Sequence, residues 1–398
     1  MCKNTEIEAL PANEGDCILV TIEQESLHIL IDGGTAETYR NYLKNRLIQL
    51  KNEGGAIDLL IVTHIDNDHI GGVIELLKEN GSNKDSKIIE IKNIWHNSYR
   101  HLQFEKKGTL GNSEKKILNT VIAGGEVSLN CNLNENSPIS AMQGTTLAGL
   151  IYGGNYCWNE QFEKQAVINN GKKYQFGKEC YVSVLKPNIS DLENLGKKWK
   201  RDLKKIKYSF EFSEDKIFDD AFEYYCRCMP IDGNGYNENI CSENYCTEEK
   251  TIQEIAGKTT KMDNSITNRS SISVIIRYRN NKLLFLADNI AADGIKYLGQ
   301  EDMFFSLVKL PHHGSVKNIS SDFIKNIETD IYLISTNSEK YNHPDIETLA
   351  KIACKRTEYV KRIYFNYKID KVTDFEKKIY GMNDIEFVYL GEGQKIYL

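Results

Sequence analysis

Short apolar runs closed by polar clusters recur along this chain. Ile18-Leu19-Val20-Thr21-Ile22 and Leu27-His28-Ile29-Leu30-Ile31 predict a β-hairpin around Gln24-Glu25-Ser26. Tyr39 to Lys51 carries a helical period and stops near Gly54-Gly55. Ile57 through Val62 predicts a buried strand, then a polar loop, then a helix from about Val73, with Gly71 and Gly72 turning the backbone between them. Downstream, Lys282 to Ala287, Ser306 to Leu310 and Ile331 to Ser335 predict further strands, as do Ile88 to Ile94 and Val182 to Pro187 between the two groups. The stretch from Ser140 to Leu147 predicts a loop entering a helix, capped by Thr145 or Thr146.

The residues just past these strands carry the chemistry. The first strand ends in Thr63-His64-Ile65-Asp66-Asn67-Asp68-His69-Ile70-Gly71-Gly72, two histidines and two aspartates within six residues. Imidazole and carboxylate together suit zinc, manganese or iron, and so dense a cluster is hard to explain as surface polarity. A second strand runs into Pro311-His312-His313-Gly314-Ser315, a third ends at Asp288, and a fourth leads to Asn342-His343-Pro344. Five of the chain's eight histidines therefore lie beyond such strands, which a shared metal centre explains and random placement does not.

Taken together these residues resemble the metallo-β-lactamase fold superfamily, and within it the branch containing the nuclease domain of the DNA-uptake channel protein ComEC. The resemblance rests on Gly15-Asp16, on Ile31-Asp32-Gly33-Gly34, on His64 through Gly72 read as His-x-Asp-x-Asp-His-x-Gly-Gly, and on Pro311 to Ser315. It covers about residues 5–80 and 265–398. One departure stands out: the family's usual Thr-Gly-Asp reads Leu286-Ala287-Asp288, which keeps the carboxylate and loses the glycine.

The resemblance implies an α/β fold, the αββα sandwich, with residues 1–84 and 262–398 as core and residues 85–261 as a long insertion, partly core strands and partly cap. It also implies two divalent ions, manganese or zinc. Asp68, His69 and His313 would hold one, His64 and Asp66 the other, and Asp288 would bridge. Asp66 stands where many relatives have histidine, and harder oxygen ligands shift preference toward manganese. Two such ions about 3.5–4 Å apart can clamp the attacking and leaving oxygens of a displacement and bring a bound water's pKa to about 7. The expected activity is metal-dependent hydrolysis of a phosphodiester by a metal-bridged hydroxide, in nucleic acid or a nucleotide. The alternative is another ester, such as phosphocholine, a lactone or a thioester, since fold does not fix substrate.

Asp68, His312, His343 and Asp32 are the candidate catalytic residues. His312 would face substrate or support a ligand. His343 would donate to a phosphoryl oxygen or a leaving group, or else is structural. Asp32 either fixes the tautomer of a ligand histidine or is a turn carboxylate. His96 and His101 match no motif and read as surface or packing residues.

Composition narrows the rest. A net charge of −6 with 27% charged residues argues against coating nucleic acid by bulk electrostatics, though not against local contact. The best local patch is Lys197 to Lys207, an amphipathic helix whose basic face is either solvated or contacts phosphate. No apolar run reaches the roughly 18 residues a membrane span needs. Ten cysteines in no regular framework, with no basic-then-apolar segment at the N-terminus, fit a cytoplasmic protein with reduced thiols. Cys226, Cys228, Cys241 and Cys246 are poorly spaced for zinc. They fall in a polar stretch, about 205–261, expected to be a mobile excursion.

Overall fold

The computed structural model describes residues 5–102, 112–113, 115, 146–205, 251–296, 298 and 303–398. The cysteines at 226, 228, 241 and 246, residues 140–145, and most of the polar excursion lie outside the described residues.

The first sheet begins with β1 (Thr5–Ala9), β2 (Ile18–Ile22) and β3 (Leu27–Ile31), continues through β4 (Leu59–Ile61), and reaches β5 (Ile94–Trp95). The second contains β6 (Lys173–Gln175), β7 (Cys180–Lys186), β8 (Ser273–Tyr278), β9 (Asn281–Phe285), β10 (Leu307–Lys309), β11 (Ile331–Ile334), β12 (Lys361–Phe365) and β13 (Ile385–Tyr389). The last strand, β14 (Ile396–Tyr397), returns to pair antiparallel with β1, so the first sheet runs β14-β1-β2-β3-β4-β5. The second runs β13-β12-β11-β10-β9-β8-β7-β6. The β2–β3 hairpin pairs Ile18 with Ile31 and Ile22 with Leu27, as the alternation predicts.

Period-two alternation explains the layers. Ile18, Val20 and Ile22 point toward Val182, Val274, Ile276, Leu283 and Leu333 of the second sheet, forming an apolar core between the sheets. Leu19, on the opposite face, packs with Leu43, Leu47, Ile70, Val73 and Leu77 of the covering helices. On the far side Leu284 and Tyr332 pack with Phe323, Leu349 and Ile352. Both sheets are thus buried on two faces, which explains why their strands read as nearly continuous apolar runs.

β3, β4 and β5 are parallel, and so are β9 through β13. Each set therefore delivers the residues after its carboxyl ends to one edge, where ligand sites form in open α/β sheets.

The strand predicted from Ile88 to Ile94 is only Ile94–Trp95. The buried Asn80 side chain accepts the N–H groups of Ile88 and Ile89, both at 2.9 Å, and so satisfies that backbone without a ladder. Thr146 is the cap of the helix Leu147–Gly153, its hydroxyl accepting Gly149 N–H at 3.1 Å. The basic segment forms the helix Ile189–Lys205, with Leu192 and Leu195 buried and Lys197 and Arg201 exposed. Among the described residues no helix is long and apolar enough to cross a membrane.

Candidate metal centre

The first ligand loop folds differently from its sequence reading. The helix starts at Asn67 and runs to Asn80, so Asp68 and His69 occupy its first turn, and Gly71 and Gly72 lie inside it. Their small size serves packing. A Cβ on Gly72 would stand 1.9 Å from the carbonyl oxygen of Gly33. The two loops are also tied by Gly33 N–H to the His69 carbonyl at 2.9 Å and Gly72 N–H to the Gly34 carbonyl at 2.8 Å.

Hydrogen bonds fix the tautomers of four histidines. Asp32 is fully buried and accepts the Thr63 backbone N–H at 2.8 Å and the Thr63 hydroxyl at 2.7 Å. It also lies 2.9 Å from His69 Nδ1, which must donate to it. The Thr63 hydroxyl proton being so engaged, His64 Nδ1 is the donor in its 3.0 Å contact with Thr63 Oγ1. His313 Nδ1 donates to the Ser335 carbonyl at 2.8 Å. The Asn318 amide donates to the Asp288 carbonyl at 3.0 Å, which turns its oxygen to His312 Nδ1, also at 3.0 Å.

In its neutral form each ring therefore presents an Nε2 lone pair, and all four converge on one carboxylate. Asp288 Oδ2 lies 3.6 Å from His64 Nε2 and 3.8 Å from both His69 Nε2 and His312 Nε2, while its Oδ1 lies 3.8 Å from His313 Nε2. Asp66 stands 3.5 Å from His64 Nε2, and Asp68 stands 3.8 and 3.9 Å from the Nε2 atoms of His69 and His313. These separations exceed a hydrogen bond. They approach the roughly 3.4 Å between two ligand atoms each about 2.1 Å from a shared tetrahedral ion. His64 Nε2, His69 Nε2, His313 Nε2 and Asp288 Oδ1 are buried with no hydrogen-bond partner. A cluster built only of acceptors is costly unless cations sit among them, so the residues fit divalent metal. Among the described residues three groups meet the spacing of a shared ion: His64, His69 and Asp288; Asp68, His69 and His313; and Asp16, Asp32 and His69, where His69 Nδ1 is already engaged by Asp32.

The carboxylates draw positive charge to this place, whether carried by an ion or by a ring proton. Burial opposes charge on His69, yet Asp288, Asp68 and Asp32 outweigh it and push its pKa well above the ordinary histidine value. Burial likewise opposes the Asp288 carboxylate, but His312, His313, His69 and His64 hold it well below the usual carboxylate range.

Asp288 hangs from a strained step. Ala287 takes φ 50°, the left-handed conformation a glycine adopts freely, which explains how this chain keeps the loop without the glycine. The Ala287 carbonyl accepts His312 N–H at 2.9 Å. His312 and His313 are themselves left-handed, at φ 45° and 56°.

His343 lies at the mouth, its ring 5.4 Å from that of His312. Its Nδ1 is buried with no hydrogen-bond partner, and burial pushes its pKa down to about 3. His96 and His101 are buried, His96 stacked on Trp158 at 6.1 Å and His101 edge-on to the same ring at 4.9 Å. Both are packing residues rather than surface ones. Sequence reasoning missed Thr63 and Asn318, which orient ligand rings, and assigned no role to Asp16 or Lys309 behind His313. A polar residue flanking a ligand was the one available signal.

Residues 10–128 match the profile of the Metallo-beta-lactamase superfamily, a stretch that includes Asp16, Asp32 and all of His64 to Gly72. Two sheets packed between helices make an αββα sandwich, the architecture expected of a metallo-β-lactamase fold. No curated protein matches the sequence. Among solved structures the chain is similar to a novel metallo hydrolase from the hyperthermophilic archaeon Ignicoccus hospitalis, at 9% identity and a TM-score of 0.36, over 99% of this chain and 98% of that one. It is also similar to CmlA, a diiron beta-hydroxylase from Streptomyces venezuelae, at 10% identity and a TM-score of 0.34, over 100% of this chain and 55% of that one.

Proposed function

We propose that this chain is a metal-dependent hydrolase of phosphodiester bonds, acting on nucleic acid or a nucleotide. The observation that carries the reading is the convergence of four Nε2 lone pairs and the carboxylates of Asp66 and Asp68 on Asp288. His64, Asp66, Asp68, His69, Asp288 and His313 would hold two divalent ions, manganese or zinc. When bound, ions in such a site supply charge stabilisation for phosphoryl oxygens and a water acidified to near neutrality.

The chain's own residues then divide the work. Asp32 holds His69 directly and His64 through Thr63, so that neither ring can turn its Nε2 away. Asp68 faces both His69 and His313 and is the most exposed of the ligand carboxylates, at 23%. His312 is 19% exposed in its side chain and faces Asp288 from the open side, within reach of a substrate oxygen. His343 stands beside it, half-buried, where a ring N–H can donate a hydrogen bond to a phosphoryl oxygen or a leaving group. The phosphodiester reading is supported by the motif resemblance to the ComEC nuclease domain and by the oxygen-rich donor set, which suits hard ions.

The test is an assay of purified protein with manganese or zinc against single-stranded DNA, duplex DNA, RNA, cyclic nucleotides and bis(p-nitrophenyl) phosphate. Phosphocholine esters, lactones and thioesters serve as the contrasting set. Turnover of phosphodiesters is expected. Turnover confined to the contrasting set would replace this reading with the other ester class.

A further inference from the structure

We propose that Asp16 and Lys309 form a buried latch that registers the two halves of the metal centre, and that the ion facing His313 depends on it. The inference rests on the metal-centre reading proposed for this chain. That ion's ligands come from both halves of the chain: Asp68 and His69 lie beyond β4, and His313 beyond β10. Something must hold the loops in register, because His312, His313 and Gly314 are three consecutive left-handed residues at φ 45°, 56° and 87°. Such a backbone persists only where its surroundings over-determine it.

The loop ending at Asp16 touches both sides. A Cβ on Gly15 would stand 1.7 Å from the backbone oxygen of Asp68, so this loop lies directly against the first ligand segment. The Gly15 carbonyl accepts the Ser335 hydroxyl at 2.7 Å, and the Ser335 carbonyl is the acceptor that orients His313. Asn366 donates to both the Leu10 carbonyl and Ser335 Oγ, each at 3.0 Å. The Asp16 carboxylate completes the bracket. One oxygen pairs with the Lys309 ammonium, which rises from β10 just before the histidine pair, and both groups are buried. The other stands 3.6 Å from His313 Nδ1 with no hydrogen-bond partner.

Stability alone does not account for this pair, because a buried ion pair is often no better than apolar residues of the same volume. Charge does. Asp16, Asp32, Asp66, Asp68 and Asp288, with Asp263 3.9 Å from His312, crowd carboxylates at one site, and Lys309 is the cation paired directly with Asp16. Lys309 therefore both anchors the loop and neutralises the negative charge that Asp16 adds behind His313.

The test titrates chelator-stripped full-length protein with Zn2+ by calorimetry and monitors folding by circular dichroism. Wild type is expected to bind two ions. Lys309→Met is expected to bind one with near-native affinity and the other about 10- to 100-fold more weakly, the loss typical of residues that support ligands. Since Lys309→Met leaves Asp16 unpaired and can unfold the chain, Asp16→Asn/Lys309→Met removes both charges together. It is expected to melt within a few degrees of wild type and to show the same selective loss. Wild-type affinity for both ions in the double variant, or an equal weakening of both, would overturn the latch. Absence of Zn2+ binding by wild type would instead remove the metal-centre reading beneath it.

Discussion

Asp32 stands 2.9 Å from His69 Nδ1 and takes both the backbone N–H and the hydroxyl of Thr63 at 2.8 and 2.7 Å. One buried anion thus orients His69 directly and His64 through the Thr63 hydroxyl. Of the two roles the sequence leaves open for Asp32, this geometry has the form of the tautomer-fixing one.

Replacing Asp32 should therefore weaken metal binding without touching a ligand. Asp32→Ala is expected to lower affinity for Mn2+ or Zn2+ about 10- to 100-fold. Titration of the stripped variant measures this, and wild-type affinity would return Asp32 to a turn carboxylate.

The ligands themselves should be indispensable. Asp68→Ala, His69→Ala and Asp288→Ala are expected to abolish hydrolysis of bis(p-nitrophenyl) phosphate while circular dichroism keeps its native form. Asp288 faces all four imidazoles, so its loss should empty both positions in elemental analysis. Wild-type turnover in any of the three would move the chemistry elsewhere.

His96 makes a separate prediction about pH. Burial pushes its pKa down to about 4 in the fold, against roughly 6.5 in an unfolded chain. The unfolded chain therefore takes up the proton first as pH falls. The stability that neutral His96 contributes is fully present above about 6.5 and is lost progressively down to about 4, on the order of 3 kcal/mol in all. Urea unfolding of stripped wild type and His96→Leu across pH 7.5 to 4.5 isolates the effect by difference. Wild type should lose stability faster toward acid. Parallel curves would show that the ring charges without cost.

The ligand strands were legible because parallel strands buried on both faces leave uninterrupted apolar runs, and metal donors crowd at their ends. The start of the ligand helix was not. Gly71 and Gly72 read as a turn because their close neighbours, Gly33 and Thr35, are remote in sequence. The tautomer network was legible only in part. Asp32 stood out as a carboxylate after a strand, whereas Asn318 becomes significant only once its amide is seen between Asp288 and His312. Lys309 reads as an ordinary strand lysine until the fold buries it on Asp16.

The two readings of Gly72 predict opposite signs. Gly72→Ala inserts a methyl group where the Gly33 carbonyl oxygen would stand 1.9 Å away. Alanine favours helices by about 1 kcal/mol over glycine, so a glycine needed only for local conformation would be improved by the change. The close approach predicts the opposite, a destabilisation of about 2 kcal/mol or more through forced displacement of the loop after β3. Urea unfolding decides the sign, and a stabilised variant would mean that the loop has room to yield.

The basic helix bears on substrate size. Lys197 and Arg201, with Asn194 and Ile266, line a cavity of about 480 Å³. Ile266 begins the short helix Ile266–Arg269, three residues after Asp263, whose carboxylate lies 3.9 Å from His312 Nδ1. Three residues span at most about 11 Å, so Ile266, which shares this lining with the two cations, lies on the same side of the molecule as His312. Glu193 stands 3.8 Å from Lys197, but an exposed pair of this kind holds the lysine weakly. Lys197→Glu/Arg201→Glu is expected to lower activity on single-stranded DNA about tenfold or more at low salt, and activity on bis(p-nitrophenyl) phosphate less than about twofold. The slope of log affinity against log salt should flatten by about 1.4, since each phosphate contact on a single strand contributes about 0.7. Equal losses on both substrates would mean that the substitutions disturb the centre itself. No loss on either would leave the helix a solvated face.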